Sequence, residues 1–154
     1  MTTGCVSPDP GEETHGHGAG GVLQYPVVPN ATEGELRDLR DVAAGECLND
    51  FVRVGGRVRV LACTSPHRFE VVLTTSVAIP ARASGKDAAR LAGSACEDGI
   101  RNSAIGAVWA PERFMLEAVE TSGHTVGPTS FLCAIGRIDL AQVTGSLRST
   151  IGPS

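Results

Sequence analysis

Between Arg57 and Cys63 the apolar positions fall on every second residue, with Val58, Val60 and Ala62 on one face. A period of two sends successive side chains to opposite sides of a strand. The alternation returns from Arg68 to Ala78, where Phe69, Val71, Leu73 and Val77 share one face and Glu70, Thr74 and Ser76 mark the other. Gly55-Gly56 is a hairpin signal, because a two-residue turn of this type needs positive φ at both positions. A short strand is expected to begin at Cys47. Thr64-Ser65-Pro66-His67 reads as a tight turn in which proline breaks pairing. Two later strands are expected, Phe114 to Thr121 and Thr129 to Gly136, the second with Phe131, Cys133 and Ile135 on one side. Arg137 to Leu147 is expected to continue as a strand or edge segment before Gly145-Ser146 turns the chain out.

Helical spacing replaces alternation between Gly85 and Asn102. Ala88, Ala92, Ala95, Cys96 and Ile100 form one apolar stripe, and Lys86, Arg90, Glu97 and Arg101 fall on the wet side. Ser84 followed by Asp87 has the spacing of a capping box, in which each residue satisfies a free N–H of the other. Asp87 also suits the positive end of the helix dipole. Gly93 and Gly99 each weaken such a helix by about 1 kcal/mol relative to Ala, so it needs packing to hold it. The order strands, helix, strands predicts an α+β fold: a small, mainly antiparallel sheet with one packed helix and, as argued below, two disulfides.

Periodicity is missing from residues 1–35. Ser7-Pro8-Asp9-Pro10-Gly11-Glu12-Glu13 is acidic and turn-forming, and His15-Gly16-His17-Gly18-Ala19-Gly20-Gly21 has nothing to bury. The expected division is a Pro/Gly-rich tether over 1–35 and a folded domain over 36–150. Tyr25-Pro26-Val27-Val28 is the one part of the tether able to dock as an extended strip.

Composition changes this picture in two ways. Aromatics make up only 4% of the chain, and a core of Val, Ala, Leu and Ile buries less area per residue than an aromatic one. Such a domain gains from covalent staples. The formal net charge is −4, which argues against a nucleic-acid partner, since phosphate binding rests on clustered Lys and Arg. The local cluster Arg53, Arg57 and Arg59 reads as a solvated strand face. No apolar run approaches the ~18 residues that span a bilayer.

Five cysteines sharpen the reading: Cys5, Cys47, Cys63, Cys96 and Cys133. No Cys-x-x-Cys pair occurs, so a zinc ribbon or thioredoxin-type site has no local support. Four widely spaced cysteines in one domain fit two disulfides in an oxidising compartment. Three pairings are open, and Cys47–Cys63 with Cys96–Cys133 is preferred. The first closes a hairpin around Gly55-Gly56, and the second pins the helix stripe to the strand beneath it. The competing expectation is four reduced core cysteines. Cys5 is the odd one, in Thr3-Gly4-Cys5-Val6-Ser7 before the tether. Gly-Cys of this kind ends a bacterial lipoprotein leader, whose cysteine is then lipidated. That reading implies an apolar leader upstream of Met1.

The stretches Gly45-Glu46-Cys47, Val60-Leu61-Ala62-Cys63-Thr64-Ser65-Pro66-His67-Arg68-Phe69-Glu70-Val71-Val72 and Thr144-Gly145-Ser146-Leu147, with Cys96 and Cys133 between them, resemble the septum formation-related domain of actinobacterial envelope proteins. The likeness covers about Leu36 to Arg148, and Cys-Thr-Ser-Pro-His is its most specific piece. It implies an extracytoplasmic, usually membrane-anchored protein with a link to cell division. Two departures touch any ligand. Arg68 stands where the family commonly has an acidic residue, and the loop with His124 and Gly127 lacks the family's Trp.

Candidate chemistry is sparse. His67 and Glu70 are possible binding residues at a strand end, with His124 in the Gly123–Pro128 loop as a third. The alternative for His67 is a backbone hydrogen bond within the Pro66 turn. Metal ligation by Cys63 and His67 requires Cys63 reduced. His15 and His17 could chelate a divalent ion, but read as spacer. No Gly-x-Ser-x-Gly, P-loop or His-Glu-x-x-His occurs, and no cofactor is expected. The expected role is therefore a non-enzymatic envelope protein on the outer face of the membrane, tethered by a lipid on Cys5. It would present a sheet face or loop to an envelope protein or cell-wall component. The alternative is a secreted metal-handling or redox protein using His67, His124 and a free thiol.

Overall fold

The structure, a computed structural model, describes residues 28–106, 109–122 and 127–150. Residues 1–27 of the expected tether, with Cys5, His15 and His17, and His124 in its loop lie outside the described residues; the rest of that stretch belongs to the fold, with Val28 and Asn30 buried and Glu35 in a strand. Strands β1 (Glu35–Asp38), β2 (Cys47–Leu48), β3 (Arg57–Val60) and β4 (Phe69–Ala78) precede helix α1 (Gly85–Arg101). Strands β5 (Phe114–Glu120) and β6 (Pro128–Arg137) and the short helix α2 (Leu147–Thr150) follow it.

Four strands make one antiparallel sheet in the order β2-β4-β6-β5, and β1 and β3 make a separate antiparallel ribbon. The ribbon is a departure from expectation. Gly55 and Gly56 do turn the chain, with φ of 59° and 79° and a bridge between Val54 and Arg57. The strand entering that turn is too short to form a full hairpin, however. An Asx-type bond from Val52 N–H to Asp50 Oδ1 curls the backbone after Leu48. β3 pairs instead with β1, Glu35 opposite Val60 and Asp38 opposite Arg57.

The result is three layers. One core lies between the ribbon and the sheet, where Val58 and Val60 of β3 meet Phe69, Val71, Leu132 and Ala134, with Leu39, Val42 and Leu48. The other lies under α1, where Ala92, Cys96 and Ile100 are buried and Cys96 and Ile100 pack with Val72, Phe114, Cys133 and Ile135. β6 alternates between them as its period demands, Leu132 and Ala134 to one core, Cys133 and Ile135 to the other. β4 does not alternate throughout. Its register with β6 shifts between Val71 and Leu73, so Leu73 joins Val72 under the helix and leaves the face of Phe69 and Val71.

α1 starts where expected. Asp87 N–H donates to Ser84 Oγ at 3.2 Å, and Ser84 N–H donates back to Asp87 Oδ2 at 3.3 Å. The helix ends one residue earlier than expected, with Asn102 as its cap. Gly99 faces Leu73, whose Cδ2 would lie 3.1 Å from any added Cβ. The glycine therefore offsets its weak propensity by a close helix–strand approach. No described helix is long and apolar enough to cross a membrane.

Both preferred disulfides are present. Cys47–Cys63 joins β2 to the turn after β3, with Cα atoms 5.3 Å apart, and Cys96–Cys133 joins α1 to the central strand β6, with Cα atoms 5.5 Å apart. One staple thus serves each side of the sheet. Two such bridges suit an oxidising, extracytoplasmic type of environment.

Candidate functional site

The turn from Cys63 to His67 is the polar centre of the molecule. Ser65 N–H closes it on the Ala62 carbonyl at 2.8 Å. Residues 142–146 then clasp it from the far end of the chain. They form not the strand expected by sequence but a bridge: His67 N–H donates to Val143 O at 2.9 Å and Val143 N–H to His67 O at 2.8 Å. Gly145 N–H donates to Cys63 O at 2.7 Å.

A buried amide cluster holds the Pro66 carbonyl. Asn30 Nδ2 donates to it at 2.7 Å, and Asn49 Nδ2 donates to Asn30 Oδ1 at 2.9 Å. Gln142 Nε2 reaches Asn30 Oδ1 at 2.7 Å and Asn49 Oδ1 at 2.8 Å. Three uncharged side chains so distant in sequence carry no periodic signal, and the sequence reading missed all of them.

Glu70 forms a second knot. It is 1% exposed, a costly position for a carboxylate unless it is hydrogen-bonded. Ser146 Oγ lies 2.9 Å from each of its oxygens, and Arg148 N–H donates to Oε2 at 3.3 Å. The Arg148 guanidinium is half in solvent with Nε 4.0 Å away. Across the same edge, Val71 N–H donates to Glu46 O and Gly45 N–H to Val71 O, while Arg37 pairs with Glu46. The Glu46 carboxylate also accepts from Ala43 N–H at 2.7 Å.

His67 is completely buried. Its Nδ1 lies 2.9 Å from Ser65 O. A carbonyl only accepts, so Nδ1 carries the proton and Nε2 the lone pair. Nε2 is buried with no hydrogen-bond partner among the described residues. One His67 ring nitrogen and the sulfurs of Cys47 and Cys63 lie within 4.8 Å of one another. All four described cysteines are disulfide-bonded, so none of the described residues supplies the free thiol that the metal or redox alternative calls for.

By sequence His67 and Glu70 are possible binding residues of one small polar site at a strand end. The structure separates their roles: each is buried and tied to its own partners, His67 to Ser65 and Val143, Glu70 to Ser146 and Arg148. Arg68, at the position where the resemblance expects an acid, is 6% exposed, and its Nε has no hydrogen-bond partner among the described residues. The stretches that carry the resemblance do meet in space. Gly45-Glu46-Cys47, Cys63 to Val71 and Gly145-Ser146 lock onto one another through the bonds above.

Exposure lies elsewhere. The hairpin tip carries Val52 and Val54 at 62% and 48% exposure, beside exposed Arg53 and Arg57. Arg53 donates to the Glu120 carbonyl at 2.9 Å, which steadies the tip against the sheet edge. A shallow hollow of about 310 Å³, lined by Arg40, Thr74, Thr121, Ser122 and Ser130 among others, opens nearby. No protein-family model matches the chain, and no curated protein or solved structure matches it.

Proposed function

We propose that this chain is a non-enzymatic envelope module, held at the outer face of the cell membrane through a lipid on Cys5. Its folded domain is offered to an envelope protein or a cell-wall component, and the likeness to septum formation-related domains extends this to a part in cell division. The carrying observation is the pair of closed disulfides, one on each side of the sheet, which suits a domain working outside the reducing cytoplasm. A second point supports it. The residues of the resemblance spend their hydrogen bonds on one another, as a clasp that sets the fold. Recognition then falls to exposed surface, and the hairpin tip beside Arg53 carries two of the exposed large apolar side chains among the described residues, Val52 and Val54.

Fractionation of a leader-bearing form tests the tether. The wild type should sediment with membranes, and Cys5→Ser should move to the soluble fraction. A Cys5→Ser protein that stays with the membrane refutes the lipid anchor. Cross-linking in intact cells tests the surface: Val52→Asp with Val54→Asp should lose partner adducts while keeping both disulfides. Unchanged adducts would remove the hairpin tip from the proposal.

A further inference from the structure

The Cys47–Cys63 disulfide and the His67 imidazole make an unusual neighbourhood for a purely structural staple. His67 is buried, and its Nε2 has no hydrogen-bond partner among the described residues. A ring nitrogen of His67 lies within 4.8 Å of both sulfurs, and Nδ1 donates to a backbone carbonyl, that of Ser65. Metal-ligating histidines make this same outer contact, which fixes the tautomer and leaves the second nitrogen basic. The disulfide sulfurs have no charge to offer a cation. Two thiolates in their place would complete a Cys2His set.

We propose that Cys47, Cys63 and His67 form a latent site for a zinc-type divalent ion, closed by the disulfide and opened by a dithiol reductant. The proposal stands apart from the membrane tether and uses none of its residues. Cys63 is half-buried and Cys47 fully buried, so a thiolate of the reductant attacks Cys63 Sγ. The Cys47–Cys63 bond breaks and its electron pair leaves on Cys47 as thiolate. The reductant's second thiol then displaces Cys63 and closes its own disulfide. The two thiolates and the imidazole would hold the ion, leaving its fourth position to a further ligand such as water.

The surroundings keep the ligands in register through this exchange. The Cys47 carbonyl accepts from Leu61 N–H at 2.8 Å, and His67 is paired to Val143 through both backbone groups. The Pro66 carbonyl is held by Asn30. Cys96 and Cys133 are both fully buried beneath α1, so access favours reduction of the other bridge and leaves the fold stapled.

The test is cobalt titration of the whole chain, oxidised and after anaerobic reduction with a phosphine that is then removed. Alkylation and mass analysis identify the opened bridge. The oxidised protein should show no tetrahedral thiolate–cobalt bands, whatever cobalt His15 and His17 take up. The reduced protein should take one equivalent, with thiolate-to-cobalt charge-transfer and tetrahedral ligand-field bands that zinc abolishes. Cys47→Ser should lose the bands. His67→Gln should weaken binding by more than the roughly 10–100-fold cost of losing an outer-shell partner, with its oxidised form giving a native circular dichroism spectrum. X-ray absorption of the zinc-loaded wild type needs no variant, and should show two sulfurs and at least one imidazole. The proposal is overturned by a reduced protein without thiolate–cobalt bands, or by equal affinity in Cys47→Ser or His67→Gln. A zinc shell lacking either sulfur or imidazole overturns it too, as does a reduced chain that unfolds and is not restored by metal.

Discussion

Removing the helix staple should cost more than removing the hairpin staple. Cys96–Cys133 spans 37 residues and Cys47–Cys63 spans 16. Loop-closure entropy in the unfolded chain then gives about 3.8 and about 3.1 kcal/mol respectively at 25 °C. Cys96→Ala with Cys133→Ala also strips two fully buried sulfurs from the core under α1, adding about 1 kcal/mol or more for lost packing. The total, about 5 kcal/mol, is a large share of the roughly 5–15 kcal/mol that holds a domain of this size together. At about 3–4 °C per kcal/mol for this length, the melting temperature should fall by about 15 °C or more. Urea unfolding of wild type and double variant, each with and without reductant, measures it. Without reductant the variant should lie about 5 kcal/mol lower. With strong reductant the gap should shrink toward the packing part alone. A loss below about 1 kcal/mol, or a gap indifferent to reductant, would refute the claim that this bridge constrains the unfolded chain.

Three further outcomes follow from single contacts. Ser146→Ala leaves buried Glu70 with its main side-chain donor gone, and should cost about 2 kcal/mol in chemical denaturation. Gln142→Ala strips the donor from Asn49 Oδ1 and should cost about 1–2 kcal/mol by the same measurement. At the start of α1, Ser84→Ala should cost about 1 kcal/mol. The side-chain and backbone hydrogen bonds from Ser84 hold the Asp87 carboxyl below its ordinary range. Its folded value being depressed, the contribution is present above about pH 4 and fades as pH falls through the folded value. Asp87→Asn should flatten that acid limb, read from thermal melts against pH.

The helix and its cap were legible because periodicity and capping act within a few residues of one another. The staples were legible for a related reason: Cys96 sits on the apolar stripe of α1, and Cys133 on a strand that must lie beneath it. What was illegible depends on distance. Asn30, Asn49 and Gln142 show nothing in sequence to bring them together, since buried amides obey no period. Val71-Val72-Leu73 gives no alternation from which a bulge could be read, so Leu73 was placed on the wrong face. The pairing of β3 with β1 was hidden because Asp50 curls the chain just where a hairpin partner would need to run on. A backbone bond within its own turn was one of two readings of His67, and Nδ1 makes that bond to Ser65 O, but burial of its second nitrogen needs coordinates to see.

Thiol mapping tests the central claim most directly, that four cysteines close this domain as two defined bridges. The unreduced protein is alkylated, digested and its peptides weighed with and without reduction. The expected result is four protected cysteines, with Cys47 linked to Cys63 and Cys96 to Cys133. Free alkylation of those four, or a different linkage, would contradict the fold's staples and the extracytoplasmic reading built on them.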